Sequence, residues 1–447
     1  MNLSFGVASK RILQFMLPIL LTMLTVAGMN AIDIIMSGHA STADLAGVSV
    51  GNSIWFPIYT GFNGVIIALT TIIAHLLGQN KPQEVSTALK HGLYLAILTG
   101  ATIIFFINLI ISNINYFITI EPYVQEVAVG YIRAISWGVI PLCLCNTLRQ
   151  FIEALNFARI ISLVYLSALP LNAFINYGLI FGNWGLPKLG GIGAGYATSI
   201  TYTIICLILL IIITQQQPFA SYRIFQSIRL DYRIFFEQLR LGLPIGFSIF
   251  LEMSIFSLTA LIISKFGTVT IAANQAAFSA VTIIYMFLLS LSIALNIIIS
   301  YELGANNPAA AKQFSHYGLK FSLFLSLAVI VLLFFTRAQV AALYSNDPTV
   351  QMLIQDFLVY VLFYQLADAI LTPSQGILRA YKDVNMAFYI ALISYWLVCF
   401  PIGYILDNYY NFGAVAYWNG FVCGMSVGAL ISLYRINYLQ KTSLPKI

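Results

Sequence analysis

Long, unbroken apolar runs recur along this chain, separated by short polar punctuation. Reading each run between charged residues or Gly/Pro/Asn-rich breaks gives twelve spans, at about 12–36, 45–77, 91–111, 128–149, 160–181, 191–214, 240–263, 271–303, 316–336, 349–373, 386–406 and 413–434. At about 1.5 Å per helical residue, each is long enough to cross a hydrocarbon layer of roughly 30 Å. Backbone groups in lipid must find partners within their own segment, which makes these runs helices. They are too long and too continuously apolar for the strands of a membrane barrel. The pattern predicts an all-α integral membrane protein with twelve transmembrane helices.

The polar punctuation repeats. Leu17-Pro18 matches Leu243-Pro244, Ala46 matches Ala272, Ala68-Leu69 matches Ala294-Leu295 and Gly92-Leu93 matches Gly318-Leu319. The loop Leu77-Gly78-Gln79-Asn80-Lys81-Pro82 matches Leu303-Gly304-Ala305-Asn306-Asn307-Pro308, and every one of these pairs is 226 residues apart. Farther on, Leu148-Arg149 resembles Leu378-Arg379 and Pro170 resembles Pro401, at a drifting offset of 230 to 231. Two pseudo-symmetric six-helix lobes follow, over residues 1–214 and 240–447, joined by a segment at 215–239. An even helix number gives both lobes one orientation, with the pseudo-twofold axis along the membrane normal. Such a pair can rock about a cleft between inward-open and outward-open states. The joining segment carries Gln215-Gln216-Gln217, then Arg223, Phe225, Arg229, Tyr232 and Arg233, a pattern that suits a short amphipathic helix on the inner surface.

Composition agrees with a lipid solvent. Hydrophobic residues make up 60% of the 447 and charged residues 8%, at a mean hydropathy of +0.89, against about 25% charged in soluble domains. The net charge of +6 is spread over loops without a basic, aromatic-laced stripe, so nucleic acid is not an expected partner. With the N-terminus inside, inner segments hold 17 of the 21 Lys and Arg residues, and Arg133, Lys188, Lys265 and Arg337 fall outside. This bias places both termini in the cytoplasm. Lys10 and Arg11 precede the first run, but another span follows it, so no cleavable leader is expected. Cys143, Cys145, Cys206, Cys399 and Cys423 all lie in apolar segments without metal-ligand spacing and read as packing residues. His39, His75, His91 and His316 fall near span ends and read as interfacial.

Three carboxylates interrupt the apolar runs: Asp33, Glu252 and Asp368. A charge in hydrocarbon costs several kcal/mol and marks a functional position. Glu252 lies 12 residues after Arg240 and 13 before Lys265, near the middle of its span. Tyr364 and Asp368 are one turn apart on one helix and face the same way. With Glu252 they would give two carboxylates and a phenol, hard oxygen ligands for a small hard cation or for a shared proton. The alternative is two unrelated acids, each bonded to neighbouring helices. In the first lobe, Asn172 and Asn176 are also one turn apart after Pro170, and Thr198 follows the glycine-rich stretch Gly190-Gly191-Ile192-Gly193-Ala194-Gly195. Asp33 with Asn172, Asn176 and Thr198 would form a second polar cluster, and Pro18 would kink the helix that carries Asp33. The acids do not obey the repeat: Glu252 falls opposite Val26, and Asp33 opposite Thr259.

At these residues the chain resembles the multidrug and toxic compound extrusion (MATE) family, and is most similar to its NorM-type bacterial branch. The specific elements are Pro18 fifteen residues before Asp33, Leu243-Pro244 leading to Glu252, and Tyr364-Gln365-Leu366-Ala367-Asp368 leading to Gly376-Ile377-Leu378-Arg379. The resemblance spans essentially the whole chain. It implies a MATE-like fold in the bacterial inner (plasma) membrane. The implied activity is export of amphipathic, often cationic, drugs by antiport with sodium ions or protons, without cofactors or enzymatic chemistry. It assigns Glu252, Tyr364 and Asp368 to a second-lobe cation site. Asp33, Asn172, Asn176 and Thr198 fall to a first-lobe site linked to protonation. The expected partners are small organic cations and membrane lipid, with the chain acting as a monomer.

Three rival readings remain at this stage. A flippase for a lipid-linked saccharide, within the same broad superfamily, would need basic residues for a pyrophosphate, with Arg133, Arg149 and Arg379 as the candidates. An intramembrane enzyme would use Glu252 and Asp368 as a dyad, and a cation channel would conduct without exchange.

Overall fold

The computed structural model describes residues 4–113, 121–224, 226 and 231–442. Among them the chain forms twelve helices long and apolar enough to cross a membrane, and no strand. These are α1 (Phe5–Ala40), α2 (Thr42–Gly78), α3 (Pro82–Ser112), α4 (Pro122–Ala154), α5 (Ala158–Phe181), α6 (Gly191–Gln215), α7 (Tyr232–Ile263), α8 (Thr268–Gly304), α9 (Pro308–Tyr344), α10 (Pro348–Ala380), α11 (Val384–Asn408) and α12 (Val415–Thr442). Local chemistry sets the starts. Proline stands in the first turn of α3, α4, α9 and α10, where its missing N–H costs nothing. Ser41, Asn307 and Asp347 cap α2, α9 and α10 with side-chain oxygens.

The repeat is physical as well as textual. Asn80 and Asn306, 226 positions apart, share the left-handed conformation with φ of 56° each. A Cβ on Gly92 would meet Leu69 Cδ2 at 2.8 Å, and one on Gly318 would meet Leu295 Cδ2 at 2.4 Å, so both halves use the same close approach. The drifting offset read from the later residues is corrected. Helices α4 and α10 end at Ala154 and Ala380, the left-handed turn residues are Asn156 and Lys382, and α5 and α11 begin at Ala158 and Val384, all still 226 apart. Arg149 is therefore level with Gln375, and Arg379 with Glu153. The slip occurs inside α11, where Leu392–Cys399 is π-helical. Helices α5 and α11 end at Phe181 and Asn408, 227 apart, which is the one residue that a π-bulge accommodates.

The chain divides into two compact units. One comprises Pro18–Gly246, and the other Met1–Leu17 with Phe247–Ile447. We call these the first and second units. Helices α1 and α7 each contribute to both, changing unit at Pro18 and at Gly246. Helix α1 continues through Pro18, whose carbonyl accepts from Thr22 Oγ1 at 3.1 Å. In the first unit α4 packs against α2 and α6, and in the second α10 packs against α8 and α12, the same positions in each half. Their partners α5, α7, α9 and α11 are more outward, with only 22% of the most apolar stretch of α9 buried against 61% for α2.

The segment after α6 is docked on the first unit. A short 3-10 helix, Phe219–Tyr222, sets Phe219 against Phe151 and Phe157. His91, read as interfacial, is fully buried and accepts from Asp231 N at 2.9 Å. The amphipathic helix expected at 215–239 falls partly on Phe225 and residues 227–230, which lie outside the described residues, as does the tail beyond Thr442.

Candidate functional site

In the first unit, α1, α5 and α6 bring Asp33, Asn172, Asn176 and Thr198 together. Asn176 Nδ2 donates to Asp33 Oδ1 at 2.7 Å, and Thr198 Oγ1 donates to Asp33 Oδ2 at 2.6 Å. The same Asn176 amide reaches Asn172 Oδ1 at 3.1 Å, as the one-turn spacing predicts. Asp33 is 2% exposed, and both asparagines are buried. Two donors on one carboxylate are charge-assisted hydrogen bonds, which is how a buried carboxylate is tolerated. Tyr131 and Tyr202 stand close enough to interact with its charge. Neither tyrosine was signalled by spacing.

The glycine-rich stretch before Thr198 has a specific task. Gly191 N donates to Asp44 Oδ1 at 2.7 Å, and Asp44 Oδ2 accepts from Ser41 at 2.6 Å. The buried Asp44 thus satisfies an orphan donor at the start of α6 and complements its dipole. Gly190, at φ 57°, has no room for a side chain, since a Cβ would lie 2.6 Å from Asp44 Oδ1. Sequence reasoning passed over Asp44. It sets the register of α6 two turns before Thr198.

The second unit gathers Glu252 from α7, Tyr285 from α8, Tyr364, Asp368 and Arg379 from α10 and Tyr395 from α11. Glu252 is hydrogen bonded to Tyr285 and Tyr395 and interacts with Arg379. Asp368 and Tyr364 each interact electrostatically with Glu252. Asp368 is fully buried; its Oδ1 accepts from Thr372, and its Oδ2 has no hydrogen-bond partner. Glu252, Tyr285, Thr372, Gln375, Arg379 and Tyr395 line a cavity of about 30 Å³, room for roughly two waters or one small ion. The buried Gln375 Oε1 on its wall is also without a partner.

The π-helical turn of α11 serves this site. It carries Tyr395 to Glu252, and the next residue, Trp396, donates Nε1–H to Leu251 O at 3.2 Å, gripping the backbone beside Glu252. Gly376 allows α10 to touch α8: Ser292 Oγ donates to Thr372 O at 2.8 Å, and a Cβ on Gly376 would fall 2.2 Å from Ser292 O.

Two sequence expectations change here. Glu252 looked remote from any base because only chain distance was counted, yet Arg379 comes beside it from α10. Arg379 and Arg149, counted with the basic residues of the inner segments, lie within their helices, and Arg379 is 8% exposed. Arg149 Nε lies 3.4 Å from Glu153 Oε1, whose carboxylate is buried. Tyr285, Tyr395, Thr372 and Gln375 are not residues that linear spacing singles out. One signal was available for Tyr285: Tyr59 precedes it by 226 positions.

Other proteins share this arrangement of helices and sequence. The MatE family model matches residues 18–178 and 244–405. A probable multidrug resistance protein NorM from Halalkalibacterium halodurans is 41% identical over 433 residues, covering 97% of this chain and 94% of that one. One from Bacillus subtilis is 38% identical, covering 97% and 96%. Among solved structures, an outward-facing multidrug resistance MATE transporter of the MOP superfamily superposes with a TM-score of 0.88 at 18% identity, covering 97% of each chain. The eukaryotic MATE transporter AtDTX14 does so with a TM-score of 0.88 at 18% identity, covering 98% of this chain and 100% of that one.

Proposed function

The chain belongs to the MATE family, and on that premise we propose that it is a secondary multidrug efflux transporter of a bacterial membrane. It exports amphipathic organic cations by antiport, through alternating access. The observation that carries this reading is Asp368, a fully buried carboxylate with one oxygen left without a hydrogen-bond partner. A buried acid in that state costs several kcal/mol unless a cation completes it.

In this reading the second unit supplies the coupling-ion site. Asp368 Oδ2, Glu252, the Tyr364 phenol and the Gln375 carbonyl are hard oxygen donors, suited to sodium or to a proton shared between the acids. The coupling ion, when bound, supplies positive charge that offsets the carboxylates. Thr372 holds one Asp368 oxygen and leaves the other free to bind. Tyr285, Tyr395 and Trp396 fix Glu252 and its backbone, so that the acid meets the ion in one geometry. The Asp33, Asn172, Asn176 and Thr198 cluster is the first unit's counterpart, linked to protonation and substrate release. Ion and drug occupancy then bias one two-state equilibrium, which is the thermodynamic content of antiport. We place both termini in the cytoplasm from the basic-residue bias and read the chain as a functional monomer.

A flippase for a pyrophosphate-linked lipid would need unengaged basic groups. Two of the three candidates, Arg149 and Arg379, already have an acid beside them, Glu153 and Glu252. The test of the proposal is dye efflux from cells expressing Glu252→Gln or Asp368→Asn at matched membrane levels. Loss of efflux supports it, and unchanged efflux by both variants removes the second unit from the mechanism.

A further inference from the structure

Each unit holds an arginine and a glutamate within its spanning helices, but the two are arranged differently. In the first unit both partners lie on α4, one turn apart, Arg149 and Glu153. Tyr59 interacts with this pair. In the second unit the repeat sets Gln375 opposite Arg149 and Arg379 opposite Glu153, so the charge at that position is inverted. Tyr285, the repeat partner of Tyr59, is retained beside it and interacts with Arg379. The helix around Arg379 offers no acid of its own: Asp383, four residues on, is taken by Arg435 at 2.6 Å. The opposite charge that acts on it is Glu252, on α7; the two line one small cavity without a direct ion pair.

We propose that Arg379 is the resting counter-ion of Glu252, a built-in cation that the coupling ion must displace, and so the positioning residue that sets the affinity of the second unit's ion site. The inference rests on the antiport reading of Glu252. Asp368 stands outside the cavity lining with one oxygen free, so of the two carboxylates only Glu252 is contested by Arg379. The charged and titratable groups that face Glu252 are Arg379, Asp368, Tyr285, Tyr364 and Tyr395. Arg379 is the one permanent cation among them. It makes no direct ion pair with Glu252 and acts on it through the shared, poorly solvated cavity, where a second cation would compete for the same charge. Without Arg379 the ion would bind more tightly and leave more slowly, and coupling would run at lower ion concentrations.

Two measurements on Arg379→Gln, Arg379→Lys, Glu252→Gln and the Glu252→Gln/Arg379→Gln pair test this. The first is thermal unfolding of the detergent-purified protein. Removing one of two opposite charges that face the same small cavity leaves the other uncompensated, whereas replacing both is close to neutral. Each single Gln variant should unfold about 5 °C or more below wild type, and the double variant within roughly 2 °C of it. The second is efflux from proteoliposomes against the concentration of the driving ion, with a sodium and a proton gradient imposed in turn. Arg379→Gln should lower the half-saturating concentration about tenfold, as loss of one competing charge at close range implies, with Arg379→Lys between it and wild type. A double variant as unstable as the sum of the singles overturns the pairing, and a half-saturating value within twofold of wild type in both Arg379 variants overturns the competition. Should Arg379→Gln fail to reach the membrane, the Lys and double variants decide. If instead Glu252→Gln exports dye at the wild-type rate, or neither gradient drives wild-type efflux, the antiport reading itself fails.

Discussion

Gly376→Ala should damage the second unit's site without touching any of its ligands. The residue lies on α10 between Thr372 and Arg379, where α10 meets α8. An added Cβ would lie 2.2 Å from Ser292 O and 2.6 Å from Ser292 Oγ. Ordinary contact begins near 3.4 Å, so the two helices must part by the difference, about 1.2 Å. That motion stretches the 2.8 Å bond from Ser292 Oγ to Thr372 O to about 4 Å, beyond hydrogen-bonding range. Overpacking of about 1–3 kcal/mol and the loss of one buried hydrogen bond, about 1 kcal/mol, give a cost of about 2–4 kcal/mol. Thr372 also holds Asp368, so the ion ligand moves with it. Thermal unfolding of purified protein and dye efflux at matched expression measure the two effects. Gly6→Ala, where a Cβ meets nothing within 4 Å, is the control and should match wild type. A Gly376→Ala variant with wild-type unfolding temperature and efflux would refute the close α8–α10 contact as the support of the site.

Three further outcomes follow from the same geometry. Asp33→Asn keeps both partners, because its carbonyl still accepts from Asn176 and Thr198 Oγ1 can turn to accept from its amide; unfolding should shift by no more than about 1 kcal/mol while efflux is lost. Asp33→Ala leaves buried donors unsatisfied and should cost about 2–4 kcal/mol in the same unfolding assay. Asp44→Ala orphans the Gly191 N–H at the start of α6 and should destabilise the protein by about 1–3 kcal/mol, lowering efflux in proportion to the folded protein recovered, as read by size-exclusion profiles.

The twelve helices were legible because lipid imposes a simple rule: runs long enough to span, with charges only where they are needed. The duplication was legible in Leu-Pro, Gly-Leu and Asn-Pro matches at one offset. It became misleading after Arg149, because short apolar motifs match at several registers, and only the helix ends at Ala154 and Ala380 fix the right one. The polar clusters were partly legible. Asn172 with Asn176 and Tyr364 with Asp368 are one-turn pairs, visible on a single helix. Arg379, Tyr395 and Asp44 were not, since each acts on a residue from another helix and nothing in linear spacing reports that. The π-helical turn was also silent, for it changes the path of α11 by one residue within an apolar run.

The most direct test of the central claim is efflux of a cationic dye from proteoliposomes holding purified protein, with a sodium or a proton gradient imposed one at a time. The account predicts that one gradient drives export against the dye's own gradient in the wild type, and that Glu252→Gln abolishes the driven component. Export that proceeds equally without either gradient, or that survives Glu252→Gln unchanged, would contradict it.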